Sequence, residues 1–230
     1  MTGFALAMAL LLGAACGGSK EQKQAEAPAA AKTPPPGLEV EPPALPKVVA
    51  LGDSITAGLG LLQVDTYPEQ LQNLIDADGY KIDVVNAGES GDTTATALRR
   101  TDFAIDPNVK IMIVAVGGND ALRGISPTAT HDNLLAIVKK AQEKGVDVLL
   151  AGMQAPPNLG EDYTVPFKLV FPRVARETGA NFLPFLLEGV AGDPKLNQED
   201  GIHPTAEGQK IIAALIYEKL KPMLDDLVNR

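Results

Sequence analysis

The chain has 230 residues, of which 45% are hydrophobic and 21% charged, a composition suited to a packed core rather than to a wholly disordered chain. Its formal net charge of −9 argues against nucleic-acid binding, which rests on neutralising phosphates with basic side chains. One cysteine and two histidines rule out an internal disulfide and argue against a His/Cys zinc site.

Residues 4–15 (FALAMALLLGAA) are an apolar, uncharged run of 12. That is short of the roughly 20 needed to cross a bilayer, and it reads as the apolar region of a secretory signal peptide. The lone cysteine, Cys16, follows directly. Leu12-Gly13-Ala14-Ala15-Cys16 resembles a bacterial lipoprotein signal. It departs from that pattern in having Gly13 where leucine is usual and in carrying no Lys or Arg before Cys16. Two readings stay open. In one, Cys16 carries lipid and tethers the protein to a membrane. In the other, residues 1–16 are a plain signal peptide with Gly13-Ala14-Ala15 as its cleavage site, and Cys16 is incidental. A cysteine placed at the end of the apolar run, and nowhere else, favours the first. Both export the protein to the bacterial periplasm or cell envelope. Residues 17–46 are rich in Ala, Pro, Lys and Glu and include Pro34-Pro35-Pro36. Such a stretch favours extended polyproline conformations and has nothing to bury, so it reads as a disordered linker.

The folded domain is expected over residues 47–230, long enough to bury roughly 70% of its extended-chain surface. Short β-branched runs at 48–51, 82–86, 111–116, 146–151 and, more weakly, 181–183 predict five strands. Amphipathic stretches at about 68–77, 93–102, 128–144, 165–178 and 205–228 predict helices between and after them. Strands alternating with helices mean a parallel sheet covered on both faces, and near-continuous apolar strands fit that. In the last helix, Pro204 stands at the start and Glu207 in the first turn. Ile211, Ile212, Leu215, Ile216, Leu220, Met223 and Leu224 recur at helical spacing and should form core.

Ligands of an open parallel sheet bind beyond the carboxyl ends of its strands. Three such turns here are rich in small polar residues: Gly52-Asp53-Ser54, Ala87-Gly88-Glu89-Ser90-Gly91-Asp92 and Gly117-Gly118-Asn119-Asp120. Any one alone is adequately explained by capping and tight bends. Ala57 and Gly58 break the phosphate-loop pattern that would start at Gly52, and Thr56 breaks the Gly-x-Ser-x-Gly elbow. A fourth site, Asp200-Gly201-Ile202-His203-Pro204, precedes the last helix. Asp200 is spaced to reach one imidazole nitrogen of His203 and fix its tautomer, which leaves the other nitrogen to take a proton from a hydroxyl. His131, between Thr130 and Asp132, reads as a solvated surface residue. Taken together, the four sites supply what a serine hydrolase requires: Ser54 as nucleophile, His203 as base, Asp200 as orienter. In a 2-1-3-4-5 strand order, the Ser54 and Gly88 backbone N–H groups and the Asn119 amide can point at one oxyanion.

This constellation resembles the SGNH hydrolase (GDSL esterase) superfamily, whose four blocks centre on a Ser, a Gly, an Asn and a His. The matching stretches are Leu51-Gly52-Asp53-Ser54-Ile55-Thr56-Ala57-Gly58, Val85-Asn86-Ala87-Gly88-Glu89-Ser90-Gly91-Asp92-Thr93, Val116-Gly117-Gly118-Asn119-Asp120-Ala121-Leu122-Arg123-Gly124 and Asp200-Gly201-Ile202-His203-Pro204. More narrowly the chain is similar to the bacterial periplasmic thioesterase I, lysophospholipase and arylesterase branch, which Pro157-Asn158-Leu159-Gly160 and Leu183-Pro184-Phe185 also resemble. The resemblance implies a flavodoxin-like three-layer α/β/α sandwich with a five-stranded parallel sheet. It implies a Ser-His-Asp triad and an acyl-enzyme, and no metal or organic cofactor. Small-molecule acyl esters, thioesters or lysophospholipids are the substrates it implies. A carbohydrate or cell-wall O-acetyl esterase and a non-enzymatic exported binding lipoprotein are the alternatives, and the presence of Ser54, Asn119 and His203 weighs against the second. Leu59, Leu61 and Leu62 after the nucleophile, and Pro156, Pro157, Asn158, Leu159, Tyr163 and Val165 after the fourth strand, are candidates for an acyl groove. Packing against the domain's own helices explains them equally well.

Overall fold

The computed structural model describes residues 44–229. The signal region with Cys16, and the linker up to residue 43, lie outside the described residues. From Lys47 the chain alternates strands and helices. β1 (Lys47–Gly52) leads into a one-turn helix α1 (Ser54–Ala57), then α2 (Tyr67–Ala77), β2 (Asp83–Gly88), α3 (Thr94–Arg100) and β3 (Val109–Ala115). A second short helix α4 (Gly118–Leu122) precedes α5 (Pro127–Glu143), β4 (Asp147–Ala151), α6 (Glu161–Thr178), β5 (Asn181–Leu183) and α7 (Ala206–Val228).

The five strands are parallel, in the order β2-β1-β3-β4-β5. Right-handed crossovers then dictate the layers. The step from β1 to β2 runs one way along the sheet and every later step runs the other way, so the intervening helices fall on opposite faces. Accordingly α2 packs with α7, while α5 packs with both α3 and α6. The result is the three-layer α/β/α sandwich expected. β1 and β3 are enclosed almost throughout, with Leu51, Ile113 and Val114 fully buried. Each such side chain contributes about 1.5–3 kcal/mol relative to exposure. β2 departs from the expected pattern: it is an edge strand, and Val85 remains 37% exposed.

Helix starts follow local hydrogen bonding. Thr93 and Thr96 form a reciprocal capping box at α3. Ser126 caps α5 ahead of Pro127. α7 starts at Ala206, one residue later than predicted, with Thr205 as its cap, and Pro204 instead bridges to Asn197. The predicted apolar stripe lies inward: Ile212, Ile216, Leu220, Met223 and Leu224 are buried, and Ile211 and Leu215 are half-buried against the core. α6 starts four residues before the expected position and carries Pro166 and Pro172 within it. Among the described residues, no helix is long and apolar enough to cross a membrane.

Register places the functional turns together. Gly52 of β1 pairs with Gly88 of β2 and with Ala115 of β3. The three strands therefore finish level, at the point where the chain direction along the sheet reverses. The residues that follow them share one rim, which is where doubly wound sheets bind ligands.

Candidate active site

Asp53 caps α1, its Oδ1 accepting the Ile55 N–H at 3.1 Å. Ser54 is therefore the first residue of that helix, held at the carboxyl end of β1. Gln209, buried on α7, fixes this turn from behind: its Nε2 donates to the Ile55 carbonyl at 2.9 Å and its Oε1 accepts from Tyr67 N–H at 2.8 Å. Nothing at the sequence level singles Gln209 out, because its partners are 154 and 142 residues away.

His203 arrives on the loop before α7. Gln198 N–H donates to the His203 carbonyl at 2.7 Å, and Gln198 Nε2 donates to the Leu59 carbonyl at 2.8 Å. The loop is thereby fastened to the segment after the serine. His203 Nε2 lies 2.8 Å from Ser54 Oγ, and its Nδ1 lies 2.5 Å from Asp200 Oδ2. Asp200 Oδ1 accepts the Ile202 and His203 amides, each at 3.0 Å. The bond from His203 and these two N–H groups hold the Asp200 carboxyl down at about 2. Asp200 therefore stays ionised, fixes the Nδ1–H tautomer and leaves Nε2 facing the serine hydroxyl as an acceptor.

Asn119 is the second residue of α4, and its Nδ2 donates to the Asp92 carbonyl at 2.9 Å. An amide nitrogen carries two hydrogens, so one remains for a ligand in the cavity that Asn119 lines. Gly88 stands differently from Asn119. Its N–H donates to Asn86 Oδ1 at 2.9 Å, and it is not among the cavity-lining residues. A further buried carboxylate does face the cavity. Burial pushes the Asp53 carboxyl up to about 6, against the opposing pull of the Ile55 amide.

The cavity beside Ser54 and His203 has a volume of about 410 Å³. Its apolar wall comes from Ile55, Leu122, Met153, Phe185, Leu187 and Ile202. Of the residues anticipated for a groove, Pro156 and Pro157 line it. Leu59, Leu61, Asn158 and Leu159 do not, nor do Leu62, Tyr163 and Val165. Gly58 and Gly60, at φ +75° and +80°, turn the chain after α1, and Leu59 is left 46% exposed outside the cavity. Tyr163 instead donates to the Ile125 carbonyl at 2.8 Å and stacks on Phe167. Leu122 and Ile202 could have been anticipated from their places within the third and fourth blocks. Phe185 and Leu187 depend on how the chain folds after β5.

His131 is corrected: it is buried, with 7% exposure, rather than solvated. Its ring sits between Asp132 Oδ1 at 3.0 Å and Glu177 Oε2 at 3.2 Å, which ties α5 to α6. It takes no part in the Ser54 site. Among the described residues, no group of three or more His, Cys, Asp and Glu side chains is arranged to hold a metal ion.

Comparison with known proteins agrees with this geometry. Residues 50–211 match the model of the GDSL-like lipase/acylhydrolase family, a span that contains Ser54, Gly88, Asn119, Asp200 and His203. The chain belongs to that family. It is 38% identical over 178 residues to esterase TesA of Pseudomonas aeruginosa, covering 77% of this chain and 89% of that protein. It is 33% identical over 179 residues to thioesterase 1/protease 1/lysophospholipase L1 of Escherichia coli, covering 77% and 85% respectively. Among solved structures, the psychrotrophic esterase EstA of Pseudoalteromonas sp., inhibited by monoethylphosphonate, superposes with a TM-score of 0.74 at 32% identity, covering 78% of this chain and 98% of that one. The chain is an ester-hydrolysing enzyme of the SGNH fold.

Proposed function

We propose that the protein hydrolyses small acyl esters and thioesters, lysophospholipids among them, through Ser54, His203 and Asp200. The observation that carries this reading is the continuous path from Ser54 Oγ through the imidazole to Asp200, at 2.8 and 2.5 Å, opening on a largely apolar cavity. His203 Nε2 takes the hydroxyl proton as Ser54 Oγ attacks the carbonyl carbon. Asp200, already ionised, stabilises the imidazolium that forms. The free Asn119 N–H and the Ser54 N–H at the start of α1 stabilise the oxyanion, and Gly88 N–H joins them by being shared with, or released from, Asn86. His203 returns its proton to the leaving alcohol or thiol. Water, deprotonated by the same nitrogen, then releases the acid from Ser54. The apolar wall supports an acyl chain over a polar sugar as the group held in the cavity. We also propose that the domain acts outside the cytoplasm, tethered through Cys16; the support is the apolar run of residues 4–15 ending at that cysteine.

The test is covalent. A fluorophosphonate probe should label one residue, found by mass spectrometry to be Ser54. Ser54→Ala and His203→Ala should each lose nearly all hydrolysis of p-nitrophenyl esters, and the double variant little more, because such residues act as a unit. His131→Ala should keep its kcat while melting earlier. Labelling elsewhere, or a loss at His131 equal to that at His203, would overturn the assignment.

A further inference from the structure

We propose that Arg100, at the end of α3, is the positioning residue that sets the three donor-bearing turns in place around the oxyanion. The proposal rests on the reading of Ser54 and Asn119 given above. The Arg100 side chain is 26% exposed and its guanidinium spends three N–H groups on three acceptors in two turns, those after β1 and β2, and reaches the Asn119 turn through Asp92. Nη2 donates to the Gly52 carbonyl at 2.8 Å, two residues before Ser54. Nη1 donates to the Ala87 carbonyl at 2.7 Å. Nε donates to Asp92 Oδ2 at 2.6 Å.

One acceptor is joined to a proposed donor by rigid geometry, and the other two through the residues beside them. The Ala87 carbonyl and the Gly88 N–H belong to one planar peptide, so holding the oxygen fixes the direction of the hydrogen. Asp92 gives its carboxylate to Arg100 and its main-chain carbonyl to Asn119 Nδ2 at 2.9 Å. The Gly52 carbonyl also accepts the Glu89 N–H at 3.0 Å, so the ends of β1 and β2 meet at one oxygen under the guanidinium. Charge alone does not supply this. A planar fork with donors at fixed angles can hold three acceptors at once, whereas an ammonium on a flexible stem cannot hold them in the same geometry. Oxyanion donors work because they are already in place when charge develops, and a displacement of about 1 Å can cost on the order of a hundredfold in rate.

The experiment is Arg100→Lys, which keeps the positive charge, measured in the otherwise wild-type enzyme and in Asn119→Ala. We expect kcat to fall about tenfold to a hundredfold with KM within about twofold, because the lost interaction is realised only in the transition state. In the Asn119→Ala background the additional loss should shrink to about threefold or less, since Arg100 acts partly through Asn119. Arg99→Lys, on the exposed neighbour, serves as the control at wild-type rate. Asp92→Asn, which keeps the carbonyl that holds Asn119 but discharges the pair with Arg100, should show a smaller kcat loss of the same kind, and it carries the test if Arg100→Lys does not fold. A wild-type kcat in the folded variants would overturn the proposal. So would a loss of the same factor in both backgrounds, which is what a merely structural staple gives. An active Ser54→Ala would overturn the site reading and the proposal with it. An inactive Ser54→Ala beside a fully active Arg100→Lys would remove only the proposal.

Discussion

A Cβ built on Gly88 would stand 2.2 Å from the amide nitrogen of Ala57. It would also lie 2.7 Å from the Thr56 carbonyl carbon. Both are backbone atoms of α1, so no side-chain rotation relieves the clash, and the helix that carries Ser54 must move. Gly88→Ala should lower stability by about 1–3 kcal/mol, a usual cost of overpacking, and should reduce kcat as Ser54 leaves His203. Melting and kcat measured on one preparation check this. An unchanged melting temperature with normal kcat would mean that the end of β2 and α1 are less closely apposed than described.

Asn119 is not a cap: Gly117 precedes α4, and the Asn119 amide bonds the Asp92 carbonyl. Removing one oxyanion donor costs about 10²–10³ in kcat, so Asn119→Ala should lose that factor with KM little changed. Asn119→Asp should be at least as damaging. It sets a carboxylate against both the developing oxyanion and the Asp92 carbonyl, where an amide hydrogen now lies. Steady-state kinetics on a p-nitrophenyl ester decide, and near-normal kcat in Asn119→Asp would refute the role.

The buried Asp53 gives a pH-dependent stability. Its carboxyl titrates at about 6 in the folded protein against an ordinary 3.8, because burial disfavours the charge. A raised value means the stabilising contribution is complete below about 3.8 and is lost as pH rises through about 6. Asn keeps an acceptor for the Ile55 N–H and carries no charge. Asp53→Asn should therefore exceed the wild type in stability by on the order of 3 kcal/mol at pH 8, with the gain fading towards pH 4. Melting curves across that range test it, and a gain equal at both ends would count against a titrating Asp53.

Export has its own test. Cells fed a fatty-acid analogue should label the protein through Cys16, and Cys16→Ser should abolish the label and release the protein from membranes. An unlabelled wild type in the soluble envelope fraction would reject the tether while leaving export in place.

Strands and long helices were legible because burial on a sheet or on one helix face imposes a period. β5 matches its predicted span of 181–183, and α2 and α5 each start one residue early. α1 and α4, at four and five residues, are too short to show a period and were missed. Ser54 was legible because small polar residues follow three strand ends in such number, and Asp200 and His203 because a spacing of three lets a carboxylate reach an imidazole. The cavity wall was only partly legible. Nearness to Ser54 in sequence suggested Leu59 and Leu61, but the direction of a side chain after a glycine turn is not written in hydrophobicity. Burial of His131 was hidden because its partner Glu177 lies 46 residues on, across a helix contact.

Nucleophile and base are 149 residues apart, whereas base and orienter share a single turn. During synthesis, therefore, a nascent chain can contain all five strands and the serine and still be chemically silent. Catalytic competence arrives in one step, when the turn before α7 closes against the end of β1, so no ester can be cleaved by the growing chain until it is nearly complete.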